Sequence, residues 1–371
     1  MLRMIAPLPA RLFLISCLMW STVVVGQPDT VHLPPPTGPL PVGTVSFELA
    51  DTDRPARFGP VRGRSPRSLM VQIWYPAERS ASEVRAPYNP VSADYRKVTG
   101  NSYLRAPFVE GSGKAPVIVV VPGRGTERYL YTVLAEELSS HGYVVVSVDM
   151  PGIGYTVYGD GLVIPPSKDF RPPRGMMGGP YEKVDSFFQA PTELGVEDLT
   201  LVLRHLEELN RADAANRFTG RLQLDGIGLF GHSLGGRIAG ALAARDGRVK
   251  AYASMEGIPP RAVRYEGQIT FPTLLLCSDG TWPYAKENYG SMIENRSAAV
   301  FMVLLPGFGH NSLTDNPLIY PDNFRSEIDP ATGLTVGRKL LLTYYDALLR
   351  DGDNPGPVLK KIEEVNVRAH E

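Results

Sequence analysis

The residues with the clearest chemical meaning lie in "GLFGHSLGGRIAG" at 228–240. Gly231, Ser233 and Gly235 fit the G-x-S-x-G pattern, in which a strand turns sharply into a helix and displays a serine hydroxyl. Glycine on each side avoids side-chain clashes in that turn. The alternative is a glycine-rich turn that merely contains a serine. An apolar strand before Ser233 and an Ala/Gly-rich helix after it favour a nucleophile.

A serine hydroxyl needs a neighbouring base to take its proton. The chain has six histidines, and His310 in "LLPGFGHNSLTD" is the best placed. It follows a predicted strand and comes after the serine, in the chain order that this kind of turn uses. The other five lie in a proline-rich segment, at a helix end, within a helix, beside the serine and near the C-terminus: His32, His141, His205, His232 and His370.

Two carboxylates between Ser233 and His310 could orient the histidine. Glu256 ends the predicted strand "VKAYASMEG", and Asp279 ends "LLLCSDG". Either could accept a hydrogen bond from the imidazole and stabilise its protonated form. The other would then be a turn residue that caps its loop. The residues alone leave both open.

Developing negative charge on a substrate oxygen requires preorganised backbone N–H groups. The N–H of Leu234, directly after the serine, is one candidate. The second is Arg124 in "VVVPGRGTERY", where Gly123 and Gly125 allow the backbone to approach a ligand closely. A plain glycine turn into a helix is compatible with this role.

The elements that must hold these residues follow an α/β pattern. Two strand-like stretches, 43–51 and 68–76, predict an antiparallel opening pair. From residue 115 onward, short apolar strands alternate with amphipathic helices, which favours a mainly parallel sheet with helices on both faces.

One long connection interrupts this alternation. Residues 151–190 are rich in glycine, proline and aromatic side chains and show little periodicity. Such segments often act as lids or binding loops, and the alternative is a poorly ordered surface insertion. Its aromatic residues could line an open groove or pack the insertion itself: Tyr155, Tyr158, Phe170, Tyr181, Phe187 and Phe188.

The predicted organisation has four parts. They are a signal peptide at 1–26, a proline-rich arm at 27–43, an α/β domain at 44–351 that contains the insertion, and a C-terminal tail at 352–371.

Composition excludes several classes of protein. The 371 residues carry a net charge of −1, with 43% hydrophobic and 21% charged residues, as in a globular protein with a sizeable core. No basic excess supports binding to nucleic acid. No Cys/His cluster has metal-ligand spacing, so we expect neither a metal nor a cofactor.

The N-terminus indicates export. Arg3 and Arg11 flank the apolar run 12–26, which ends in small residues before Gln27. This predicts a cleaved signal peptide and a secreted or periplasmic protein. The run is short of the roughly 20 residues that span a bilayer, which disfavours a membrane anchor. It also continues well past Cys17, which disfavours a lipoprotein. Cleavage would leave Cys277 alone, so no intramolecular disulfide is expected.

The quoted motifs, together with "LMVQIWYPAE", "SMEG" and "GHNSLTD", resemble the plasma-type platelet-activating-factor acetylhydrolases and their bacterial relatives over about residues 43–350. The resemblance implies an α/β-hydrolase fold near the dienelactone-hydrolase-like enzymes. It implies a serine esterase that forms an acyl-enzyme and cleaves short or oxidised acyl chains from phospholipids, or other small esters. Transient contact with a lipid surface would follow, and no obligate protein partner is indicated.

The resemblance also bears on the acid. In α/β-hydrolases generally the acid follows the later strand, near Asp279, but in this family it follows the strand of "SMEG". Here Glu256 replaces the usual aspartate, and the acid position of related lipases and cutinases is displaced toward Thr281. The resemblance therefore favours Glu256 over Asp279.

Two other functions remain as alternatives. The same triad could hydrolyse a polyester, a lactone or an amide. A non-catalytic binding protein with this fold is disfavoured by the intact Ser233 and His310.

Overall fold

The computed structural model describes residues 30–56, 66–78, 84–89, 97–111, 113–178, 180–266 and 269–370. The predicted signal peptide and Cys17 lie outside these ranges. Cys277 is a buried free cysteine.

Twelve strands of the described residues form one mixed sheet, and two more form a separate hairpin. The strands in chain order are β1 (Val31–His32), β2 (Val42–Asp51), β3 (Arg67–Pro76), β4 (Arg85–Pro87), β5 (Val98–Leu104), β6 (Ala115–Val121), β7 (Val144–Asp149), β8 (Thr156–Val157), β9 (Val163–Ile164), β10 (Leu222–His232), β11 (Val249–Met255), β12 (Thr273–Ser278), β13 (Val300–Leu305) and β14 (Asn366–His370). The order across the sheet is β1-β5-β2-β3-β7-β6-β10-β11-β12-β13-β14, with β4 on β5, while β8 and β9 form the hairpin.

The centre of the sheet is parallel, from β7 through β6, β10, β11 and β12 to β13. β2 and β3 pair antiparallel, and β3 pairs antiparallel with β7. The predicted mainly parallel sheet with an antiparallel opening pair is confirmed.

Eight α-helices of the described residues surround the sheet. They are α1 (Thr132–Ser140), α2 (Tyr181–Phe187), α3 (Gln189–Arg211), α4 (Leu234–Ala243), α5 (Trp282–Glu294), α6 (Asn316–Ile319), α7 (Pro330–Asp346) and α8 (Gly356–Leu359). Within the described ranges, none of the helices has the length and apolar character needed to cross a bilayer.

Both faces of the sheet are covered, which explains why its central strands are continuous apolar runs. Every residue of β6 is buried. Val119 points into the apolar cluster that contains Leu199 of α3 and Ile238 of α4, while Ile118 points into the cluster with Leu134 of α1 and Leu340 of α7. Side-chain alternation along one strand therefore divides the core into two layers.

The two ends of the domain differ from the sequence prediction. Residues 352–371 were predicted to be a tail, but β14 pairs antiparallel with β13 at the sheet edge. Leu359 and Ile362 are buried beside it. The predicted arm also joins the sheet, because β1 pairs with β5 and β2 begins at Val42. Backbone pairing and apolar packing thus include both segments in the domain.

The described part of the insertion is folded against the sheet. The Tyr158 hydroxyl donates to the carbonyl of Ser68 at 2.7 Å, and Phe170 is buried. The insertion ends in α2 and the start of α3, a stretch in which the sequence showed little periodicity. These contacts place it beside the carboxyl ends of the parallel strands, where ligand sites of open α/β sheets form.

Candidate active site

Ser233 occupies a sharp turn between β10 and α4. Its φ of 54° and ψ of −121° are strained for a residue with a side chain. A Cβ at Gly235 would lie 2.0 Å from the carbonyl oxygen of Val121, and one at Gly231 would lie 2.4 Å from that of Gly235. Both positions therefore exclude a side chain, as the sequence pattern predicts, and the turn presents the serine at the sheet's carboxyl edge.

Two backbone amides are available beside the serine. Leu234 is the first residue of α4, and a first-turn N–H has no acceptor within its own helix. After β6, the carbonyl of Gly123 accepts from the N–H of Thr126 at 3.2 Å and from its hydroxyl at 2.8 Å. Because a trans peptide points its C=O and N–H in opposite directions, the Arg124 N–H is aimed away from Thr126. Arg124 and Leu234 both line the cleft at Ser233.

His310 contacts Glu256. Its Nδ1 lies 3.3 Å from Oε2 of Glu256, whose side chain is fully buried while that of His310 is 48% exposed. The second oxygen, Oε1, accepts from the Ser278 N–H at 2.5 Å and the Thr281 hydroxyl at 2.7 Å. Burial raises the pKa of Glu256, but the hydrogen bonds from His310, Ser278 and Thr281 outweigh it and hold that pKa below its ordinary value.

The backbone of Glu256 has φ +59°, a conformation uncommon for a residue with a side chain. Its N–H donates to the carbonyl of Leu276 at 2.9 Å, so the residue directly after β11 remains attached to β12. We interpret this turn as the feature that directs the carboxylate to His310.

Asp279 has a different environment. It is exposed, and its Oδ2 accepts from the N–H of Gly307 at 2.7 Å. Asp279 thus caps the loop after β13, which is the structural role that the sequence left open for one of the two carboxylates. Thr281, near the alternative acid position, donates its hydroxyl to Glu256.

The remaining histidines occupy other parts of the fold. They are at the outer strand β1, the end of α1, the middle of α3, the end of β10 and the edge strand β14: His32, His141, His205, His232 and His370. Of these, His232 belongs to the site, because its ring centroid lies 4.8 Å from that of His310. Its position directly before the serine gives no sign of this contact in the sequence.

A cleft of about 100 Å³ opens beside Ser233. Its apolar lining includes Met177, Val184, Phe188, Leu234 and Ile258. Tyr181 and Tyr284 complete it, with ring centroids 5.9 Å apart. The insertion therefore contributes wall residues to the cleft, including the predicted aromatic residues Tyr181 and Phe188.

Arg237 of α4 fixes the insertion on the site. Its guanidinium donates to the Asp185 carboxylate at 2.6 Å, to the Asp185 carbonyl at 3.1 Å and to the Thr192 hydroxyl at 2.8 Å. Arg237 is 6% exposed, so the contact is screened little by water. A charge-assisted bond of this kind holds α2 against the start of α4.

Among the described residues, no group of three or more His, Cys, Asp or Glu side chains could hold a metal ion.

Known proteins share this architecture. A family model for the alpha/beta hydrolase fold matches residues 116–266. The solved structure of a ferulic acid esterase from Streptomyces cinnamoneus aligns with a TM-score of 0.74 at 23% identity, over 92% of this chain and 99% of that one. The chain has the α/β-hydrolase fold.

Two curated relatives match parts of this chain. Hydrolase LUC6 of Fusarium sp is 30% identical over 185 residues, which are 50% of this chain and 35% of that protein. A protein of Arthroderma benhamiae named "Probable 1-alkyl-2-acetylglycerophosphocholine esterase" is 23% identical over 274 residues, or 66% of this chain and 63% of that protein. The matches thus span less than two thirds of either relative's length.

Two glycine-to-alanine substitutions, one in the serine turn and one in α5, should change the stability of the protein in opposite directions. Gly235→Ala should lower the free energy of unfolding by about 1–3 kcal/mol, because the backbone around Val121 would have to move. Gly290→Ala, in the interior of α5 with no atom within 4 Å of the new Cβ, should raise it by about 0.5–1 kcal/mol. Urea unfolding measures both. Equal stability of the two variants would contradict the close packing of the turn.

Proposed function

We propose that this α/β-hydrolase is a serine carboxylic ester hydrolase with Ser233, His310 and Glu256 as its triad. The observation that carries the proposal is the contact of His310 Nδ1 with the buried carboxylate of Glu256, at the edge of the sheet where the strained turn presents Ser233. Relatives in two comparisons are named esterases, which supports ester hydrolysis by this fold.

The reaction has two halves. The Ser233 oxygen attacks the ester carbonyl carbon, while His310 Nε2 takes the hydroxyl proton. The imidazolium is stabilised by Glu256 through Nδ1, and the N–H groups of Arg124 and Leu234 stabilise the tetrahedral oxyanion. Collapse expels the alcohol, which receives the proton from His310, and leaves an acyl group on Ser233. Water, deprotonated by His310, then releases the acid and restores the serine.

The cleft and the resemblance support a proposed substrate class. A volume of about 100 Å³ is smaller than the cavity of about 150 Å³ that holds one benzene ring. Such a cleft suits a short acyl group on a small or lipid alcohol better than a long chain or a polymer. The apolar run at 12–26 supports the further proposal that the enzyme is secreted or periplasmic.

Acyl length should therefore control the rate. Among p-nitrophenyl esters, kcat/KM should be highest for acetate or butyrate and fall by about tenfold or more for octanoate and palmitate, because the cleft cannot enclose them. The same series should include a short-acyl phospholipid and a feruloyl ester. Ser233→Ala should lower kcat on the order of 10⁶-fold. Highest activity on palmitate, or activity unchanged in Ser233→Ala, would contradict the proposal.

Substitution of Glu256 should lower activity far more than substitution of Asp279, because Glu256 contacts His310 whereas Asp279 accepts from the N–H of Gly307. In Glu256→Gln the amide oxygen can still accept from Ser278 and Thr281, but the NH₂ group then faces His310 Nδ1 and favours the wrong tautomer. We expect kcat on p-nitrophenyl acetate to fall by about 10³–10⁴-fold. Asp279→Asn, the matched control, keeps an oxygen that can accept from Gly307, so its kcat should stay within about threefold. The reverse ranking would assign the acid to Asp279.

A further inference from the structure

His232, the residue before the nucleophile, has two hydrogen-bond partners from different loops. Its Nε2 lies 2.7 Å from the backbone carbonyl oxygen of His310, and its Nδ1 lies 2.9 Å from the Tyr131 hydroxyl oxygen. A carbonyl can only accept, so Nε2 carries the proton and donates to His310. Because burial keeps the ring neutral, Nδ1 is unprotonated and accepts the Tyr131 O–H. The residue is 2% exposed, so water does not compete for these bonds.

The chain of hydrogen bonds continues to the loop after β6 that contains Gly123 and Arg124, called the oxyanion loop below. The N–H of Gly123 donates to the Tyr131 hydroxyl oxygen at 3.0 Å. Donation therefore runs in one direction, from Gly123 through Tyr131 and His232 to the carbonyl of His310, and such chains reinforce their members. A Cβ at Gly123 would lie 3.0 Å from His232 Nδ1, so glycine gives the imidazole room there.

His232 is held neutral. Burial, and next a positive charge on His310, together lower its pKa to about 3, although the hydrogen bond to the His310 backbone and the Glu256 carboxylate act in the opposite direction. Tyr131 faces it as a neutral phenol, because burial raises the pKa of Tyr131 well above its usual range. A neutral His232 adds no charge that would oppose the imidazolium of His310.

A second contact joins the loop that carries His310 to the start of α1, next to Tyr131. The carboxylate of Asp315 accepts from the N–H groups of Thr132 and Val133 at 3.1 and 3.2 Å, at the start of α1 directly after Tyr131. Its own N–H donates to the carbonyl of Leu130 at 2.8 Å. Asp315 thus fixes the C-terminal end of the loop that carries His310, and His232 fixes the backbone carbonyl of His310 itself.

We propose that His232 and Tyr131 are positioning residues, a neutral imidazole–phenol pair that holds the His310 backbone and the oxyanion loop in register with Ser233. The inference rests on the proposed esterase function. His232 acts through the orientation of His310, and Tyr131 acts also through the Gly123 N–H. Neither residue needs to contact the substrate. A displacement of about 1 Å at such a site costs about 100-fold in rate, which sets the scale of the expected effect.

Kinetics of three variants test the pair. Tyr131→Phe removes the hydroxyl and keeps the ring, His232→Leu removes both bonds, and His232→Gln retains a terminal NH₂ that can reach the His310 carbonyl. We expect kcat on p-nitrophenyl acetate to fall about 10- to 100-fold in Tyr131→Phe and His232→Leu with KM within about twofold, and His232→Gln to recover most of the loss. The Tyr131→Phe/His232→Leu double variant should lose little more than either single variant, because both act through one chain.

His205→Gln, in the middle of α3, is the matched control and should retain wild-type kcat. A kcat within twofold of wild type in folded Tyr131→Phe, or a change confined to KM, would overturn the inference. Absence of Ser233-dependent hydrolysis in the wild type would instead overturn the proposed function.

A measurement on the unmodified protein is independent of variant folding and of activity. In ¹⁵N-histidine-labelled protein, NMR should show His232 as the Nε2–H tautomer, without titration between about pH 5 and pH 9. An Nδ1–H tautomer, or titration near the ordinary histidine value of about 6.5, would break the hydrogen-bond chain and overturn the inference even if the enzyme is active.

Discussion

The turn at Ser233 can form only because its backbone packs directly against neighbouring backbone, with no side chain between them. Gly235 faces the carbonyl oxygens of Val121 and Pro122, at the end of β6, so the start of α4 lies directly against the strand that leads into the oxyanion loop. Gly236 faces the Ser254 hydroxyl and Gly257, on the other side. This contact brings the carboxyl ends of β6, β10 and β11 together. The positions of the Arg124 and Leu234 N–H groups, of Ser233 and of Glu256 all depend on that one close contact.

The electrostatics of the site depend on how the Glu256 carboxylate is buried. An isolated carboxylate in the interior would become neutral, since burial disfavours the charged form. The pKa of Glu256 remains below its ordinary value because donors from β12 and the following turn, together with His310, surround both of its oxygens. Its positive φ carries a strain of about 1–3 kcal/mol, which these bonds offset. A carboxylate kept ionised in this way can stabilise an imidazolium beside it.

The sequence predicted the sheet, the serine turn and His310 because those features depend on local pattern. Alternation reveals strands and helices, and the glycines around Ser233 reveal a turn. The choice between Glu256 and Asp279 does not depend on local pattern, because both residues end strands. The backbone of Glu256, together with Ser278 and Thr281, places its carboxylate against His310, and these positions depend on the register of β11 with β12.

Other features of the structure could not be predicted from the local sequence pattern, for similar reasons. In β14 only Val367 and Ala369 alternate with polar residues, too short a run to distinguish a strand from a tail. The insertion is held by the pair of Arg237 and Asp185, which are 52 residues apart. His232 was excluded as the base because it adjoins Ser233, and its partners Tyr131 and His310 are visible only once three loops are placed together.

The proposed mechanism requires Ser233 to be an activated nucleophile. Treatment of the folded protein with a fluorophosphonate probe, followed by peptide mass spectrometry, tests it directly, because such probes modify serines that a base has activated. We predict one adduct per chain, located on Ser233, with loss of esterase activity in proportion to labelling. An absent adduct, or an adduct on another serine while ester hydrolysis continues, would contradict it.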